Sequence, residues 1–283
     1  MHITLSRKRL IILLLAGLCG AILVGMAPGA GVDERELDPR LRPESVEMLR
    51  RQNQGETVSL AYYPRFIARL LRGDAGESRL FGAPVAQLIQ QRIGTTARSV
   101  FAGLAAAWAA AALLAVVTAL NGHGSVVLLS TLVSAMLLSV PSGVLAVVGL
   151  LLDLPFAAIA GVVFPRVYPH VYNQLRASLV KPHVVMARSR GLSPARVLWG
   201  YVLPGLLLPM VALAGVSVTL ALGASIPVEA LADSPGLGQL AWRAALARDL
   251  PLLVAITLLI TSVTVLANLL SDIAVVRVRV PAQ

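Results

Sequence analysis

Charge is what this sequence has least of. Only 13% of its 283 residues are Asp, Glu, Lys or Arg, about half of the roughly 25% usual in soluble domains. A soluble chain of this size could not cover its surface with so few. The 57% hydrophobic content and mean hydropathy of +0.79 place it in a membrane. One cysteine, Cys19, permits no internal disulfide and excludes a stapled scaffold. Gly and Pro follow no repeat, which excludes a collagen-like chain. Lysine occurs only at Lys8 and Lys181, and neither follows Gly. The chain therefore lacks the Gly-Lys of a phosphate-binding loop, and ATP hydrolysis by the chain itself is not expected. His2, His123, His170 and His183 are scattered, with no Cys or carboxylate at ligand spacing; no metal and no cofactor are implied.

What is present is a set of long apolar runs. Leu10–Met26 follows Arg7-Lys8-Arg9. A cleaved signal peptide has the same outline, but this run of 17 residues exceeds the usual core of about 7–15, and a retained helix is the better reading. Val100–Leu120 and Val126–Leu152 are charge-free and separated by the Gly-containing turn Asn121–Ser125. Asp153-Leu154-Pro155 breaks the chain. Pro155–Leu175 is the weakest span, because Arg166 interrupts it; Val202–Val228 and Leu250–Ser271 are clear.

Charge decides the parity. No Asp or Glu occurs between Leu154 and Val228, while Arg166, Arg176, Lys181, Arg188, Arg190 and Arg196 fall in Arg166–Tyr201. So basic a loop belongs in the cytoplasm. The net charge of +10 then reflects topology and not a nucleic-acid partner. With the N-terminus inside, Pro155–Leu175 must cross, with Arg166 snorkelling to the cytoplasmic headgroups. The expectation is an all-α polytopic protein of six transmembrane helices with both termini cytoplasmic. Pro28–Arg98, outside, holds 11 basic and 9 acidic residues and is long enough to escape the charge rule. It reads as a small folded segment. Pro64 suits a first helical turn, with Phe66, Ile67, Leu70 and Leu71 on one face and Gly73 ending it. A second helix follows Pro84, with Val85, Leu88, Ile89 and Ile93 apolar.

Two groupings could carry function. Ser142 and His170 lie in separate spans, and an intramembrane serine protease would need such a pair; a helix-packing Ser beside a Pro-Gly kink is the plainer reading. The basic loop is more informative. Pro182 can start a short helix and Gly191 can end it in a left-handed cap; Ser193 can then cap a helix beginning at Pro194. This is a helix–turn–helix elbow. It is either a solvated loop of snorkelling arginines or a lever gripped by a cytoplasmic partner.

The segment Ala187-Arg188-Ser189-Arg190-Gly191-Leu192-Ser193, followed by Val197-Leu198-Trp199, Leu203-Pro204 and Leu208-Pro209, resembles the cytoplasmic loop of ABC importer permeases, most closely the oligopeptide/dipeptide/nickel branch. Leu70–Ser78 resembles the external segment after the first helix of the first-type permease. Ser225–Leu240 resembles the external loop before the last helix, through Glu229, Pro235, Gly236 and Gly238. Ala247-Arg248-Asp249-Leu250-Pro251 is similar to the segment entering that helix.

The resemblance implies a MetI-like ABC permease fold in a bacterial inner membrane. Residues 1–27 would be the first transmembrane helix and 28–98 an external helical segment. Residues 99–283 would be a core of five transmembrane helices with a coupling elbow at 176–201 and an external loop at 227–249. It also implies no catalytic residues and a set of partners: a second permease subunit, two ATP-binding cassette subunits, an external substrate-binding protein and the lipid bilayer. Ala187, Arg188, Ser189, Arg190, Gly191 and Leu192 would form the ATPase-coupling helix, with small residues permitting close approach. The function implied is the pathway subunit of an ATP-driven importer for peptides or similar small solutes. The rival readings are a transport-incompetent scaffold and the intramembrane protease.

Overall fold

The structure is a computed structural model that describes residues 62–70, 72–121 and 124–279. The apolar run Leu10–Met26 and the turn residues Gly122 and His123 lie outside the described residues. The chain divides into two compact units.

The first unit contains the described residues up to Gly94 together with Pro235–Val265. Helix α1 (Tyr62–Leu70) carries Pro64 in its first turn. It ends where Gly73, at φ +86°, donates its N–H to the Leu70 carbonyl. A two-residue antiparallel ribbon pairs β1 (Glu77–Ser78) with β2 (Ala83–Pro84). Then comes α2 (Val85–Asn121), whose first turns belong to this unit. Phe66, Val85 and Leu88 are buried against Leu240 and Ala244 of α9 (Leu237–Leu246) and against Leu252 and Ile256 of α10 (Leu250–Arg279). Asp249 ties the unit together. Its carboxylate accepts from the Ser78 hydroxyl at 2.5 Å, from Leu80 N at 3.0 Å and, as the cap of α10, from Leu252 N at 3.3 Å.

The second helix expected after Pro84 is therefore not separate. It continues without a break through Arg98 and Ser99 as α2, 37 residues long. At about 1.5 Å per residue its length is about 55 Å, which exceeds the roughly 30 Å of hydrocarbon by about 25 Å, some four to five turns. The polar residues Gln87, Gln90, Gln91 and Arg92 occupy the surplus end.

The second unit comprises Thr95–Ser234 and the chain from Leu266. The run Val126–Leu152, expected as one span, is two helices: α3 (Gly124–Ser139) and α4 (Ser142–Leu151), bent by 102°. Pro141 lacks an N–H and disfavours helical backbone at Val140, so the helix breaks between them. Asp153, at φ +55°, turns the chain into α5 (Pro155–Leu179). Short helices α6 (Pro182–Ser189) and α7 (Pro194–Val197) follow. A π-helical turn, Leu198–Val202, leads into α8 (Leu203–Leu231). By length and composition three helical stretches among the described residues can cross a membrane: Val85–Leu120, Pro194–Leu231 and Leu250–Val276. The bent α3–α4 pair is a fourth if it forms one span.

Small residues set the packing of this unit. Ala107, Ala111 and Ala115 are buried with Ile159, Val163 and Val167. A Cβ added at Gly103 would lie 2.7 Å from Ile159 Cβ, so α2 and α5 meet nearly backbone to backbone. Helices α3 and α5 are joined by hydrogen bonds. The Ser130 and Tyr168 hydroxyls pair. Ser134 Oγ donates to the Pro165 carbonyl at 3.0 Å. Pro169, four residues on, has no N–H to give that carbonyl; the serine supplies the missing donor.

Candidate functional site

The basic elbow forms as the sequence suggested. Pro182 is at the first position of α6, and the Lys181 carbonyl accepts from Val184 N and Val185 N, both at 3.0 Å. Arg190 N bonds to Met186 O at 3.2 Å and Gly191 N to Arg188 O at 2.9 Å. Gly191 has φ +74°, and a Cβ there would meet nothing within 4 Å. Backbone conformation, not space, calls for glycine at this turn. Ser193 holds the cap position before Pro194, but its side chain makes no capping bond; only its carbonyl engages, accepting from Val197 N at 3.0 Å.

Periodicity then separates two faces of α6. Val184 and Ala187 are buried, in one cluster with Leu175 and Leu179 of α5, Val197 of α7, Val202, and Leu206 of α8; Leu192 packs beside it. Val185, Met186, Arg188, Ser189 and Arg190 are exposed. Within the expected coupling helix, Ala187 faces inward. At 3% exposure its methyl group seats α6 on its own subunit, because it falls three residues after Val184 on the inner face. Neither Arg188 nor Arg190 forms an ion pair among the described residues; Arg190 Nη2 only approaches Met186 Sδ at 3.7 Å. The outer face is therefore cationic, with no acidic partner among the described residues. Trp199, in the π-helical turn, is 72% exposed.

The segment read as the external loop 227–249 is mostly helical: α8 runs to Leu231 and α9 fills Leu237–Leu246. Glu229 is on α8 and 1% exposed, not in a solvated loop. Its carboxylate accepts from Thr96 Oγ1 at 3.0 Å and from Ser99 Oγ at 3.4 Å, both on α2. Pro235 is exposed, Gly236 is the extended residue before α9, and Gly238 is buried within α9. Glu229 belongs to the second unit and Pro235, Gly236 and Gly238 to the first.

Arg166 lies in the helix formed from the weakest apolar run. It is near the middle of α5, and its guanidinium Nη1 donates to the Val162 carbonyl at 3.2 Å. The side chain thus runs towards the N-terminal end of α5, away from the elbow. It lines a cavity of about 430 Å³ with Ser139, Pro141, Ser142, Thr219 and Gly223. Ser142 and His170 form no hydrogen bond with each other among the described residues, so no serine–histidine dyad exists for the protease reading.

Sequence reasoning passed over Asp249 as a structural residue, although an Asp before Leu250-Pro251 is a helix-start signal. No sequence signal could have paired Ser134 with Pro165, since the contact joins two helices.

Comparison with known proteins agrees with this architecture. The family model described as "Binding-protein-dependent transport system inner membrane component" matches residues 111–279. A putative peptide permease protein of Brucella suis is 24% identical over 285 residues, covering 89% of each chain. The oligopeptide transport system permease protein AppB of Bacillus subtilis is 23% identical over 267 residues, covering 84% of each. The dipeptide transport system permease protein DppB of Lactococcus lactis is 24% identical over 256 residues, covering 83% of this chain and 84% of the relative.

Proposed function

Because the chain belongs to the family of binding-protein-dependent transport system inner membrane components, matched over more than half its length, we propose that it is one of two permease subunits of an ATP-driven importer for peptides or similar small solutes. As a member of that family it is a multi-pass inner-membrane protein and a non-catalytic subunit of an ABC transporter. The relatives named for peptides, oligopeptides and dipeptides support the solute class. The proposed partners are a second permease, two ATP-binding subunits that grip the elbow, and an external binding protein that delivers solute. In this reading six helices cross, both termini are cytoplasmic, residues 28–98 are external, and Glu229 to Gly238 help shape the external side.

The observation that carries the proposal is the division of α6 into a buried and an exposed face. Val184 and Ala187 share one packed cluster with α5 and α8, so force applied to the elbow reaches both helices. Met186, Arg188, Ser189 and Arg190 are left for a partner, the arginines suiting acidic residues in a groove. Closure of the ATP-binding subunits would move α6 and tilt α5 and α8, alternating access to the pathway. The π-helical turn at Leu198–Val202 places a compliant step between elbow and span.

In the assembled complex, Cys introduced at Ser189 is expected to crosslink to an ATP-binding subunit, and Cys at Ser78 is not. Gly191→Val should abolish solute uptake while the protein remains in the membrane and assembled. A β-branched residue at φ +74° is strained by about 1–3 kcal/mol, enough to displace a short exposed turn. Normal uptake by Gly191→Val together with no crosslink from position 189 overturns the reading. A complete complex that hydrolyses ATP but moves no solute points instead to a scaffold subunit.

A further inference from the structure

A guanidinium in the middle of a membrane protein needs a polar counterpart, and Arg166 has little of one. Of its five N–H donors, one engages the Val162 carbonyl, and no carboxylate pairs with it among the described residues. The residue is exposed on the cavity side of α5, where α3 and α4 break apart. Its position along the fold can be read from the neighbouring helix. Thr219, on the same cavity wall, lies about 25 Å along the helix from Val202 and about 18 Å from Leu231 at 1.5 Å per residue. The cavity is thus well inside the apolar run of α8 and remote from the elbow.

The remaining walls combine hydroxyls with apolar side chains such as Leu137, Leu145 and Leu220. Ser139, Ser142 and Thr219 bring hydroxyls, and no side chain caps the start of α4 at Ser142. Gly223 leaves open space, since a Cβ there would meet nothing within 4 Å. The volume of about 430 Å³ falls in the range of ligand sites, roughly 300–1,000 Å³. The one full charge in the wall is positive, which selects an anionic group, and the planar fork of Arg matches a carboxylate in two-point contact.

We propose that Arg166 is a specificity-determining residue of the translocation pathway, holding the free carboxylate of a peptide-like solute in the cavity at the α3–α4 break. This inference rests on the importer reading above. It adds a selection step inside the membrane to whatever an external binding protein selects.

The test uses the complete complex with native Cys19 replaced by Ser and a reporter thiol introduced as Ser139→Cys. Maleimide labelling of that thiol is followed with alanine di-, tri- and tetrapeptides, each as free acid and as C-terminal amide, without the binding protein. The free acids should protect the thiol at concentrations about tenfold or more below those the amides require, as expected for a charge-assisted contact. Arg166→Gln should erase that difference, and Arg166→Lys, a point charge without the fork, should keep part of it. Uptake of the same peptides into proteoliposomes with the binding protein is measured in parallel. Uptake without thiol protection, or equal protection by acid and amide, overturns the Arg166 assignment while leaving the importer reading intact. Acid-selective protection without uptake overturns the importer reading and keeps the carboxylate site. An Arg166→Gln chain that no longer assembles, with Arg166→Lys assembling but showing no acid preference, assigns the arginine to an ion pair with the second permease and overturns the proposal. Protection that follows added phosphatidylglycerol and not peptide overturns it in favour of a lipid.

Discussion

The Pro165 carbonyl shows how single residues settle accounts that a membrane does not forgive. Two prolines inside α5 remove helical N–H donors. Ser134, 2% exposed, gives its hydroxyl to Pro165 O at 3.0 Å. Ser134→Ala is expected to leave that acceptor unsatisfied and to cost about 1–3 kcal/mol, read as a lower melting temperature of the detergent-solubilised protein. Ser262→Ala is the matched control. Its hydroxyl bonds back to Leu258 O of its own helix, and its loss should shift stability by no more than about 0.5 kcal/mol. Equal melting temperatures for the two variants would mean that Pro165 O finds another donor.

At the scale of elements, the close approach of α2 and α5 depends on small residues in register. Gly103 faces Ile159 Cβ and Cγ2 at 2.7 Å and the Phe156 carbonyl at 3.0 Å for an added Cβ. Backbone and a buried β-branched side chain are both poor at yielding. Gly103→Ala should therefore push the helices apart, at about 1–3 kcal/mol for overpacking. Gly94, nine residues earlier on the same helix, has nothing within 4 Å of its virtual Cβ. Gly94→Ala should be neutral or stabilising by up to about 1 kcal/mol, because alanine is the better helix former. Comparison of the two variants by thermal melting separates a packing effect from a propensity effect on one helix. A result in which both behave alike removes the packing account.

For the whole molecule, the proposed six-span topology places residue 74 outside and residue 188 inside. Single Cys residues at Asp74 and Arg188, in a chain with Cys19 replaced, should label from opposite sides of intact cells and inverted vesicles. Labelling of position 74 from the cytoplasm and of position 188 from outside reverses the topology and, with it, the assignment of the elbow to an ATP-binding partner.

Composition and order were enough for the class of the molecule. So few charges among long apolar runs place a polytopic protein in the membrane, and one acid-free basic segment marks the elbow. Pro182, Gly191 and Pro194 mark the elbow because proline and glycine act on their own backbone, so their signal is local. The continuity of α2 past Arg98 was not legible, because a polar helical stretch joined to an apolar one looks like two elements when only hydropathy is read. The 102° break at Val140–Pro141 was visible only as a kink, since a proline says where a helix weakens and not how far it turns. The places of Ala187, Glu229 and Arg166 depended on tertiary structure alone. Each is set by what another helix puts opposite it: a packed cluster beside Ala187, two hydroxyls from α2 at Glu229, an open cavity at Arg166. Sequence periodicity assigns a residue to a face of its own helix, but the partner that makes the face buried, paired or open comes from residues distant in the chain.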